Sequence, residues 1–177
     1  NKAKLATPTS LSWNTGTQGS AIAQWGAVTN ATSYTVVLYN SGGTAVSTQN
    51  PTTNSYNFGS IFTSAARAGH YFKVTAKSSD TTNFNSSNAS ASSTALSSYT
   101  VTFNSNGGSA VGSQYVINGQ KATAPTNPTR AGYTFGGWYK ESGLTTAWTF
   151  TTDTVTAAIT IYAKWTAINY TISVNAN

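Results

Sequence analysis

The acids of this chain are Asp80, Glu141 and Asp153, its single imidazole is His70, and it has no cysteine. Hydrolysis by paired carboxylates needs two acids held on opposite sides of the bond to be broken. The three acids here are far apart in sequence and each lies in or beside a polar loop, which gives them loop-structuring and solvating roles. A serine triad would have to centre on His70. Strand phase instead sets that residue beside Phe72 and Val74, with no nucleophile motif around it. Metal binding fares no better, because thiolates are absent and the acids are too few for an oxygen cage. A Lys–Asn isopeptide cross-link would need a buried lysine, and the candidate, Lys73, falls on the polar face of its strand. No catalytic, cofactor-binding or metal-binding residue is expected, and no cofactor.

Aromatic side chains remain. Trp138, Tyr139 and Trp148 lie near glycine-rich turns, where planar rings stack on sugars or anchor a protein partner. These three form the expected ligand-binding set. Against this stands the need of a small β-module to fill its core with a few large side chains.

The formal net charge of +6 comes from the shortage of acids and not from a basic cluster. The closest basic pairs are Lys2 with Lys4 and Lys73 with Lys77, which is too sparse to neutralise several phosphates together. Nucleic acid is excluded as a partner. No run approaches the ~20 apolar residues of a membrane helix, so the chain is not expected to span a membrane. The segment Asn1–Leu11 carries no basic-then-apolar leader, and the absence of methionine fits a mature or excised segment.

The elements that must hold these residues are β-strands. Thr, Ser, Asn, Gly, Val and Tyr dominate, strong helix formers are scarce, and 177 residues suffice for two small domains. Strands are predicted at 10–13 and around Ile22, with Trp25 following. Further strands are predicted at 33–39, 44–48 and 55–62, from Gly69 to Lys77, and at 89–96, with turns at 14–19 and 40–43 between them. Tyr34, Val36 and Leu38 share one face, as do His70, Phe72, Val74 and Ala76. After a Ser, Thr and Asn stretch, Tyr99–Phe103 alternates strictly and runs into an Asn106-Gly107-Gly108 turn. Gln114–Ile117, Gly132–Tyr139 and Thr160–Trp165 complete the strands, while Pro125 and Pro128 keep the segment around them extended. In the last strand Ile161, Ala163 and Trp165 face the core.

Pro8, Leu11-Ser12-Trp13, Trp25, Ala31-Thr32-Ser33-Tyr34-Thr35-Val36 and Gly69–Ala76 resemble a bacterial fibronectin type III module over residues 3–97. The family usually has tyrosine where strand phase places His70. Tyr99–Phe103, Asn106-Gly107-Gly108, Pro128–Tyr139, Trp148-Thr149-Phe150 and Ile161–Trp165 resemble a Listeria-Bacteroides repeat, the B-repeat type of internalins, over residues 98–166. Tyr170–Asn175 echoes Tyr99–Asn104. The resemblances imply a mainly β protein, with an immunoglobulin-like β-sandwich at 1–97 and a β-grasp, ubiquitin-like module at 98–166. Residues 167–177 would be the start of a further repeat or an extra strand. They also imply an extracellular or cell-surface bacterial location.

The expected function is that of a non-catalytic module pair, an adhesin stalk or spacer. Its partners would be neighbouring modules of the same chain and a host or extracellular protein or glycan. The alternative is a carbohydrate-binding accessory module of a larger secreted enzyme.

Overall fold

The computed structural model describes residues 1–62 and 68–170. These residues are mainly β, as the composition requires. The strands are β1 (Ala3–Lys4), β2 (Ser12–Asn14), β3 (Ile22–Gln24), β4 (Ser33–Tyr39), β5 (Ala45–Gln49), β6 (Ser55–Asn57), β7 (Tyr71–Lys77) and β8 (Phe84–Asn85). They are followed by β9 (Ser98–Asn104), β10 (Gln114–Ile117), β11 (Tyr133–Tyr139) and β12 (Ile159–Ala167).

In the first half, sheets of order β2-β3-β6 and β5-β4-β7 enclose one core, and β1 pairs in parallel with β8 at the margin. The alternation of β4 and β7 decides the core, since Val36 pairs with Val74 and Leu38 with Phe72, all fully buried. Burying each such side chain contributes roughly 1.5–3 kcal/mol. Trp13 closes the core edge-on to Phe72, with 4.9 Å between ring centroids.

Two predicted strands take other forms. The strand expected at 55–62 ends at Asn57, whose Oδ1 accepts the N–H groups of Ala21 and Gly59 and turns the chain into a 3₁₀ turn at Gly59–Ile61. The strand expected at 89–96 is a serine ladder. The N–H groups of Ser87, Ser90, Ser93 and Leu96 donate to the carbonyls of Ala76, Val74, Phe72 and His70. The hydroxyls of Ser87, Ser90 and Ser93 accept the N–H groups of Ala76, Val74 and Phe72 at 2.9–3.0 Å. Three residues of the ladder thus advance against two of β7, as if every step carried a bulge. The hydroxyl oxygen stands where a strand's carbonyl would be.

The second half forms one sheet of order β10-β9-β12-β11, with β9 and β12 parallel and the outer pairs antiparallel. Its core holds Val101, Phe103, Trp138, Trp148, Val155, Ile161 and Ala163. A bulge between Phe135 and Trp138 spans Gly136-Gly137, and Gly137 has a φ of 104°, which favours glycine. Ile117, at the end of β10, packs into the first core and not the second. Of the echo at Tyr170–Asn175, residues 171–175 lie outside the described residues.

Candidate functional site

Trp138 and Tyr139 are adjacent on β11 and so leave the sheet on opposite sides. Trp138 turns inward, 4% exposed, and meets Phe103 and Phe135 edge-on at 5.0 and 5.6 Å between centroids. Trp148 is 7% exposed, and its main-chain N–H donates to the Trp138 carbonyl at 2.7 Å. Both indole N–H groups are buried without a hydrogen-bond partner, so neither is presented to solvent as a donor. Tyr139 lies half-buried on the opposite face, in register with Tyr162, with Lys164 Nζ 4.9 Å from its ring centroid. The three expected ligand-binding residues are therefore divided between a core pair and one outward ring.

The acids hold loops. Asp80 accepts from the side chain of Asn83 and from the N–H groups of Asn83 and Thr82, and these bonds hold its carboxyl below the usual range. Glu141 takes the Thr145 hydroxyl and the Thr145 and Thr146 N–H groups, with the same effect. Asp153 pairs with Lys140 at 2.8 Å and accepts the Thr149 N–H, and its carboxyl is likewise lowered. A general acid needs a carboxyl raised toward neutrality, the reverse of what these contacts produce. His70 packs edge-on to Phe62 at 5.2 Å. Among the described residues no cluster of acids and histidines could hold a metal ion. No helix among them is long and apolar enough to cross a membrane.

The residues that make the second half recognisable in sequence converge at one end of its sheet. Asn106 and Gly107 adopt φ of 45° and 83°. The Asn106 amide donates to the Ala163 carbonyl at 2.8 Å, and Trp165 Nε1 donates to the Ser105 carbonyl at 2.8 Å. Arg130 bonds the Asn106 carbonyl while its guanidinium lies 3.9 Å from the centroid of the Tyr133 ring. The glycine-rich turn and the final tryptophan are thus two parts of one packing unit, which explains their co-occurrence without invoking a ligand.

Sequence reasoning passed over Gln120, Tyr162 and Lys164. The last two carry a weak signal, the outward phase of β12. Gln120 carries none, because its partners lie 100 to 105 residues earlier.

Residues 99–164 form a Listeria-Bacteroides repeat domain by their match to that family's model. The chain is 43% identical over 72 residues to a putative Gly-rich membrane protein of Evansella cellulosilytica, covering 41% of this chain and 8% of that protein. It is 50% identical over 48 residues to internalin H of Listeria monocytogenes, covering 27% of this chain and 9% of that protein. The chain therefore spans about a tenth of the length of these relatives.

Proposed function

We propose that this chain is a non-catalytic module pair of a bacterial secreted or cell-surface protein, serving as a stalk or spacer. The observation that carries the reading is the repeat domain at 99–164, which resembles a segment of internalin H and of much longer putative membrane proteins. The commitment of all three acids to loop bonds supports the absence of catalysis.

We read residues 1–97 as an immunoglobulin-like sandwich of the fibronectin type III kind, a reading supported by three-stranded sheets β2-β3-β6 and β5-β4-β7 around one core. Residues 98–166 are read as a β-grasp, supported by the parallel central pair β9 and β12. Between β10 and β11 residues 118–132 form no helix, and Pro125 and Pro128 lie among them.

The second reading is glycan or protein recognition, favoured by the outward Tyr139, Tyr162 and Lys164 group. Binding of the purified chain to glycan arrays and host-matrix proteins, beside Tyr139→Ala, tests both. No binding by the folded chain supports a spacer. Binding lost in a folded Tyr139→Ala variant overturns the spacer in favour of recognition.

A further inference from the structure

The two cores meet at a polar contact. Gln120 is 4% exposed, although it stands in the turn after β10. Its Nε2 lies 3.1, 3.0 and 2.8 Å from the main-chain oxygens of Thr15, Thr17 and Ser20, and its Oε1 accepts the Gly19 N–H at 3.2 Å. Two N–H donors shared among three carbonyls fix the amide in one orientation, since the flipped amide would set its oxygen against all three.

Both sides of the contact are held by local hydrogen bonds and close packing. On the repeat side, Gln120 N–H donates to the Ile117 carbonyl, its own carbonyl accepts the Val155 N–H, and Gly119 supplies a φ of 82°. On the receiving side, Ser20 bonds the Thr17 carbonyl through both N–H and hydroxyl. Gly59 presses so close to the Gly19 carbonyl that a Cβ there would collide with it.

Two further contacts flank the amide. Gln18 exchanges a pair of 2.9 Å hydrogen bonds with the main chain of Lys121. Ile117, 1% exposed, belongs to the first core, and the Asn118 N–H donates to the Ser97 carbonyl.

We infer that the loop 15–20 is a docking site for the Ile117–Lys121 turn of the repeat, and that Gln120 is the lock that makes the two modules one rigid body. The inference rests on the two-module reading above, because a joint requires two bodies. Loss of the amide strips a partner from the Gly19 N–H and from the Thr15 and Ser20 carbonyls, while the Thr17 carbonyl keeps its bonds from Ser20, so loss of the lock favours opening, which lets water reach these groups, over collapse.

The test compares the full 177-residue chain with Gln120→Glu, which keeps the size but aims a carboxylate at three carbonyl oxygens. ¹⁵N relaxation gives the rotational correlation time of each half, and calorimetry gives the number of unfolding transitions. The expected result is one correlation time and one transition in the parent, against two shorter times and two transitions in the variant. Core amide shifts of Val36, Phe72, Val101 and Ile161 should stay in place. Should Gln120→Glu not fold, Gln120→Ala removes the amide without adding charge and is read in the same way. Two correlation times in the parent would overturn the joint and leave the two modules standing. One correlation time in both proteins would overturn the lock. If accompanied by a single transition in both, it would remove the two-module reading as well.

Discussion

Trp165 lies against Gly108 so closely that a Cβ at Gly108 would collide with its Cζ2 and crowd the Ser105 and Thr129 carbonyls. The glycine therefore exists to admit the tryptophan, whose N–H is fixed on the Ser105 carbonyl. Gly108→Ala is expected to destabilise the second half by about 1–3 kcal/mol, the usual range for overpacking. Urea unfolding followed by tryptophan fluorescence reads this directly, and an unchanged midpoint would refute the steric account.

The serine ladder makes a second prediction. In Ser90→Ala the Val74 N–H loses its acceptor in a buried setting, a loss that costs about 1–3 kcal/mol. The Val74 amide should also exchange with deuterium faster than that of Val36, whose environment is untouched. Equal protection of the two amides would show that the hydroxyl is dispensable.

Neighbouring residues on β11 should respond in opposite ways. Trp138→Ala empties a core position and is expected to cost about 3–5 kcal/mol, as large-to-small aromatic changes do. Tyr139→Ala, on the outward face, should cost far less. Chemical denaturation of the two variants side by side checks the ranking, and similar losses would mean that the outer face is not free.

Acid sensitivity follows from the loop carboxylates. The contacts of Asp80, Glu141 and Asp153 lower their pKa from ordinary values of 3.8, 4.5 and 3.8. A carboxyl with a folded pKa below its unfolded one adds stability above the unfolded value and loses it as pH falls through the folded value. Stability should therefore be level from neutral pH down to about 5 and decline below about 4. Asp153→Asn should flatten part of that decline in a melting series over pH, and an unaltered profile would remove Asp153 from the account.

The strands with strict alternation are legible in the sequence alone. Ser33–Tyr39 has the predicted bounds, and Phe72, Val74 and Ala76 are buried as their phase requires. The period of two breaks down where side chains replace main chain in hydrogen bonding. Asn57 ends β6 with its amide oxygen, and Ser87, Ser90 and Ser93 keep a period of three that alternation reads as loop or strand alike. For the binding set, proximity to glycine-rich turns marks Trp138 and Trp148, yet both rings turn inward and join the second core. Gln120 is not legible in the sequence, because a polar residue after an Asn-Gly turn is ordinary and its partners lie a hundred positions away.

The ladder beside β7 also determines what the sheet can do to its neighbours. A regular edge strand offers a row of evenly spaced N–H and C=O groups on which another chain can build. Here the last segment advances three residues for every two of β7, and the carbonyls of Asn88, Ala91 and Thr94 are taken up by the serine hydroxyls. Its outward side repeats at a spacing that no incoming strand can match. The edge is closed to templated growth, so molecules crowded together can touch along this side without polymerising through it.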